Sequence, residues 1–431
     1  MPTTFLSSSE ATLGFLLILL VPFVAAGLAL LNSGLGRCRS AAHVTLASLC
    51  VFGVSTLVYV AVGFSFQGAI GLPSRDILIG TKSWNWIAAE HLFLRGLRLD
   101  TSPEALVVLL QMFSVGIAAI IPLSAGSDRW RLGAACASSA LLAGWTYPLF
   151  AHWVWAGGWL SQLGANCGFG RGFVDGGGAG TIQAVGGLSA LSITWILGPR
   201  HGKFSGDGIP AAIPGHNAVL ALTGCFLAWI GWIALNSAGA LLFLAAPAST
   251  VVLIAINTTL SAVASCLTAA VVTRVRFGRP DASLTANGWI GGLVASSAAA
   301  AFLKPAVAIM VGAVAAVLVL STIDLLESRL AVDDPGGAVS VHAVAGILGL
   351  FAVSISEASA PGQFLAQLAG ISTLLGFVLP LTYALNWLLN RFYPQRVSEE
   401  GERHGMDLYE LGAGAYPEFV VHSDEFSQRW N

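Results

Sequence analysis

The chain has 431 residues, of which 55% are hydrophobic and only 10% charged, and its mean hydropathy is +0.77. A soluble protein of that composition could not keep its surface wet, so the chain reads as a polytopic membrane protein. A net charge of −2 with no long run of like charge gives no sign of a nucleic-acid or acidic partner, and no nucleic-acid partner is expected.

Apolar runs of roughly 20 residues, the length that crosses a bilayer core, fall near 11–31, 44–66, 104–125, 131–154, 177–199, 217–240, 248–273, 283–302, 305–328, 337–356 and 363–390. The first follows MPTTFLSSSE, which has no Lys or Arg, so a retained helix is expected rather than a signal peptide. The fold class expected is therefore an all-α membrane protein of eleven transmembrane helices. The transmembrane unit takes residues 1–392 and a tail takes 393–431. Loops after odd-numbered spans, with the tail, hold fourteen of the twenty Lys and Arg residues. This places the N-terminus outside and the C-terminus in the cytoplasm, in a cell (inner or plasma) membrane. The six cysteines show no metal spacing and read as small apolar residues, and no metal or cofactor is expected.

One segment occurs twice. DGGGAGTIQAVGGL (175–188) and DPGGAVSVHAVAGI (334–347) align without a gap, and seven of the fourteen positions are identical. One copy opens the fifth span and the other the tenth, so they run in opposite directions. The expected architecture is two inverted five-helix repeats, about 11–199 and 217–356, plus a last helix at about 363–390, with a site at mid-membrane on the repeat interface. Asp175 and Asp334 sit at helix starts, where a carboxylate caps free N–H groups, and a structural role is expected for both. Eight residues further on, Gln183 in one copy matches His342 in the other. A polar group inside a span marks either a pathway or a hydrogen bond to a neighbouring helix. The shared position favours the pathway.

AHWVWAGGW (151–159) ends the fourth span with aromatic residues, which suit an interfacial belt. Trp155, followed by small residues, alternatively floors a vestibule in which an indole face attracts a cation. Phe113, or Met112, in LLQMFSVG is a similar candidate, with core packing the equal alternative.

These residues resemble the ammonium transporter (Amt/Mep/Rh) family. AAGLALLNSGLGRCRS, AHWVWAGGW, DGGGAGTIQAVGG, GHNAVLALTGCFLAWIGWIALNSAGA, LTANGWIGGLVASSA, DDPGGAVSVHAVAGILG and GMDLYELGAGAYPEF follow its motifs in order. The resemblance implies a pore in each subunit of a homotrimer, and small-residue runs such as ASSAAAA (295–301) suit contact between subunits. It also implies recruitment by Trp155 and a serine, a gate of two phenylalanines, and twin histidines in the pore. Trp155, Asp175, Trp232, Asn236 and His342 match the family. Four positions depart: Gln183 replaces the first histidine, Leu235 the second gating phenylalanine, Gly239 the recruiting serine, and Gly337 an aspartate. The match of Phe113 to the first gating residue needs a one-residue shift.

Two functions follow from the resemblance. One is a divergent ammonium/ammonia transporter or channel conducting through a hydrophobic pore. The other is a non-conducting ammonium sensor or regulatory subunit with the same fold. An enzyme is disfavoured, since no nucleophile–base pairing or cofactor fingerprint is found. The tail keeps Gly405, Asp407, Gly412, Ala415 and Tyr416 of a motif that in relatives packs under a neighbouring subunit and helps dock the PII signalling protein. Leu411, Ala413 and Gly414 depart from it.

Overall fold

The computed structural model describes residues 6–356 and 361–416; His422, Arg429 and the end of the tail lie outside them. Among the described residues nine helices are long and apolar enough to cross a membrane. They belong to a series of eleven helices: α1 (Ser8–Leu35), α2 (Cys38–Gln67), α3 (Pro103–Gly126), α4 (132–155), α5 (Ala179–Leu197), α6 (Ala218–Phe243), α7 (Ala248–Phe277), α8 (Ala282–Ser296), α9 (Pro305–Ser328), α10 (Val339–Ser356) and α11 (Gln363–Phe392). The two outside the nine are α4 and α8. Local chemistry sets the starts: Ser7 and Glu10 form a reciprocal capping box on α1, Asn217 caps α6 and Asp281 caps α8.

α8 is shorter than its apolar run. It stops at Ser296 because the next two carbonyls turn aside: Gly177 N–H donates to Ser297 at 2.8 Å and Gly176 N–H to Ala298 at 3.3 Å. The run ASSAAAA is consequently packed inside the chain, where Ala295 to Ala300 are buried, so it supplies no contact surface for a second subunit.

The all-α expectation needs one correction. The loop after α2 holds an antiparallel hairpin, β1 (Ser74–Ile79) and β2 (Lys82–Ala88), closed by a two-residue Gly80–Thr81 turn with Gly80 at φ +63°. Its anchors come from α4. His152 Nδ1 donates to the Gln67 carbonyl at 2.6 Å while Nε2 lies 2.8 Å from the Asn85 amide, and Trp153 Nε1 donates to the Trp86 carbonyl at 2.8 Å.

Helix contacts pair the halves. α1 lies on α6, where a Cβ on Gly27 would sit 2.5 Å from Ala228 N and one on Gly224 would sit 2.5 Å from the Gly27 carbonyl oxygen. α3 packs on α5 much as α8 packs on α10, and α5 meets the start of α10 at the centre.

Candidate functional site

The centre is built from the duplicated segment. Asp175 Oδ2 accepts from Gly180 N (3.0 Å), Thr181 N (2.8 Å) and Thr181 Oγ1 (2.9 Å), closing the start of α5. Asp334 does the same for α10, accepting from Ala338 N at 3.0 Å and Val339 N at 2.7 Å. Three residues after each aspartate stands a left-handed glycine, Gly178 at φ +84° and Gly337 at φ +74°. A side chain at 337 would be strained in that conformation, and its Cβ would lie 2.8 Å from Asn287 Nδ2. Both helices then open with a π-helical stretch, Ala179–Ala184 and Val339–Val344, a local widening often found at functional positions.

Twin glycines let the two helices touch backbone to backbone. A Cβ on Gly187 would lie 2.3 Å from Ala343 N, and one on Gly346 would lie 2.4 Å from the Ala179 carbonyl oxygen. At this crossing His342 Nδ1–H donates to Gln183 Oε1 at 2.8 Å. Gln183 is fully buried and among the described residues its Nε2 has no partner, while His342 keeps 4% of its surface accessible. With Nδ1 carrying the proton, Nε2 is the nitrogen with a lone pair, and among the described residues it forms no hydrogen bond.

Further along, Trp155 Nε1 donates to the Asp175 carbonyl at 2.7 Å, and the indole stacks on Phe243 with ring centres 4.3 Å apart and planes 9° from parallel. The pair lines a cavity of about 40 Å³ together with Glu104, Val107 and Leu242. Phe113 is not in that lining. Its ring stacks on Phe52 of α2 at 6.4 Å, and the Met112 carbonyl accepts from Thr56. Leu235 is buried in α6. Trp232, also buried, donates Nε1–H to Ser297 Oγ at 2.9 Å, and Asn236 Nδ2 donates to Thr258 Oγ1 at 2.9 Å. Gly239 does not face the cavity's rings but backs onto the glycine entry, where a Cβ would lie 2.2 Å from the Gly176 carbonyl oxygen. No serine fits there on this backbone.

Phe243, Val107 and Glu104 escaped the sequence reading. Phe243 lies one helical turn after Gly239, the position aligned with the family's recruiting serine, and that proximity along α6 was the available signal.

On the face carrying the tail, a cavity of about 620 Å³ reaches Ser340, two residues before His342, and is lined by Arg200, Lys203, Asn287 and Asp333 among others. Arg200 grips Asp333 through Nε at 2.9 Å and Nη2 at 3.0 Å, and reaches Asp128 through Nη1 at 3.0 Å. Burial opposes ionisation of Asp333, but bonds from Arg200 and the charge of Arg129 outweigh it and hold the carboxyl below its ordinary range. The tail docks on this face. Asp407 accepts from His43 N at 2.7 Å and Ala42 N at 3.2 Å, and Glu410 accepts from Leu132 N at 2.8 Å.

Residues 13–416 match the Ammonium Transporter Family. The chain belongs to that family. It is 34% identical to ammonium transporter Amt2 of Archaeoglobus fulgidus, an alignment that covers 94% of this chain and 88% of the relative. The ammonium transporter of Bacillus subtilis is 30% identical, with 93% and 97% covered. Among solved structures, one titled Sensor Amt Protein superposes with a TM-score of 0.83 at 25% identity, covering 93% of this chain and 98% of that one. Mep2 of Candida albicans shares the fold, with a TM-score of 0.76 at 22% identity over 96% and 91% of the two chains.

Proposed function

We propose that this family member passes ammonia, delivered as ammonium, through a hydrophobic pore in each subunit. The chain would cross a cell membrane eleven times with its C-terminus in the cytoplasm. Assembly as a homotrimer rests on the family likeness. The observation that carries the reading is the Gln183–His342 hydrogen bond at the helix crossing, with His342 Nε2 left unpaired.

The chemistry follows from the residues. A bare cation is strongly disfavoured among Leu235 and the buried alanines of α6 such as Ala234 and Ala238, so ammonium must give its proton to solvent water at the mouth beside the Trp155–Phe243 pair. Ammonia can then donate an N–H to His342 Nε2, the free acceptor on the path. Gln183 fixes Nδ1–H by accepting it and cannot take up a proton itself, so no proton relay runs through the pair. The carried species is neutral. The docked tail leaves Leu408 and Tyr409 half-exposed as the surface a PII-type partner would meet.

A non-conducting sensor is the second reading. It is favoured by the loss of a titrating group at 183 and by the likeness to the structure titled Sensor Amt Protein. Proteoliposomes separate the two. An ammonium pulse should alkalinise the lumen faster than in protein-free vesicles, with little current. Binding of methylammonium without any such flux would establish the sensor and sink the conductor.

A further inference from the structure

We propose that Glu104 supplies the negative charge that draws ammonium to the Trp155–Phe243 pair. The inference rests on the reading of that cavity as the entrance of an ammonium pathway. Among the described residues lining it, only Glu104 is charged. The polar end of Trp155 is already committed, since its N–H goes to the Asp175 carbonyl. One face of each stacked ring is taken by the other, leaving the outer faces and edges to meet a cation. Gly239 offers no hydroxyl, and no side chain can be added there without meeting Gly176. The cavity therefore has aromatic faces to hold a cation loosely and a single carboxylate to concentrate it.

Glu104 is placed for this. It is half-buried in the first turn of α3, one turn before Val107 on the same face, and among the described residues no side chain bonds to it or pairs with it. Asp100, four residues earlier, is by contrast neutralised by Arg98 at 3.1 Å. The first turn is also where an acid favours the helix dipole. Yet α3 is already started by Pro103 and by Ser102, whose hydroxyl accepts from Ala105 N. The dipole role predicts a change in stability. The recruiting role predicts a change in the concentration at which the cation saturates, strongest at low salt.

The test uses the full chain in proteoliposomes, reading initial uptake of radiolabelled methylammonium, with equilibrium binding of methylammonium to detergent-solubilised protein as a second readout. Glu104→Gln should raise the half-saturating concentration about five-fold at low salt, with a smaller change in maximal rate, and high salt should shrink the difference. Glu104→Lys should raise it further and Glu104→Asp should largely restore it. Gel filtration and melting of each variant show whether it is folded. If folded Glu104→Gln and Glu104→Lys saturate at the wild-type concentration while the wild type takes up or binds methylammonium, Glu104 has no recruiting role and the pathway reading stands. If the wild type neither binds nor carries methylammonium, both fall together.

Discussion

Gly187 of α5 meets Ala343 of α10 so closely that a methyl group on the glycine would lie 2.3 Å from the alanine nitrogen. The repeat places the counterpart contact at Gly346, against Ala179 and Ala184. These two glycines, each four residues beyond the position they serve, are what let Gln183 and His342 come within one hydrogen bond.

A methyl group at 187 should therefore push the helices apart. Gly187→Ala is expected to cost about 1–3 kcal/mol by overpacking and to reduce ammonium flux. Gly186→Ala is a milder comparison, because its Cβ would meet the movable end of Ile121 at 2.6 Å and backbone, the Ala118 carbonyl, only at 3.0 Å. Melting of both variants in detergent gives the comparison. Equal losses would show that the backbone contact at Ala343 has no special weight.

The relay argument predicts opposite results for the two members of the pair. Gln183→His supplies a second titrating ring beside His342, so electrogenic current per ammonium pulse should increase. If, as proposed, proton passage is already interrupted at 183, His342→Gln should change current little, although the loss of the Nε2 acceptor should slow alkalinisation of the lumen. A large wild-type current abolished by His342→Gln would mean that charge moves past an unaided histidine.

Much of this arrangement is legible in the sequence. Nine of the helices fall within a few residues of their apolar runs, because a bilayer-length run admits few alternatives. The duplicated register sets position 183 opposite 342. What was hidden depends on neighbours distant in sequence. α8 ends at Ser296 because Gly176 and Gly177 claim its next carbonyls. Gly239 and Gly337 look like lost side chains in sequence; the Gly176 carbonyl leaves no room for a Cβ at 239, and the left-handed backbone at 337 strains any side chain placed there. The phase of α3 decided Phe113: a ring placed by motif alignment stacks on Phe52, and Val107 takes the cavity. The hairpin was missed because its short strands sit in a polar loop, where a search for long apolar runs sees nothing.

Asp333 gives a pH-dependent prediction. Its folded-state pKa is depressed below the unfolded value of about 3.9, so its contribution to stability is complete above that value and is lost as pH falls through the folded pKa. Asp333→Asn leaves the buried guanidiniums of Arg200 and Arg129 with less countercharge and should cost about 3 kcal/mol at neutral pH. The gap between wild type and variant should close below roughly pH 4. Melting temperatures across that range check it, and a gap that persists into acid would assign the loss to packing instead.

The tail offers the last prediction. Asp407 and Glu410 lie in one π-helical turn, Asp407–Leu411, yet they cap two separate helices: Asp407 covers the first N–H groups of the α-helical part of α2, and Glu410 covers Leu132 N at the start of α4. His43 Nε2 lies 2.8 Å from Glu410, and Arg39 donates to the Arg403 carbonyl at 2.7 Å. Burial of Glu410 is outweighed by these bonds from His43 and Leu132, which keep its carboxyl below the ordinary range and so charged at neutral pH. Each lost cap costs about 1 kcal/mol, so Asp407→Ala with Glu410→Ala should loosen the docked segment without unfolding the membrane helices. Trypsin should then cut after the exposed Arg403 faster than in wild type, with oligomer mass unchanged. Deleting 405–431, of which 417–431 lie outside the described residues, should alter ammonium flux in the same direction as the double substitution. Unchanged cleavage in the double variant would show that the caps do not hold the tail, and unchanged flux in the deletion would show that the docked tail has no hold on the pore.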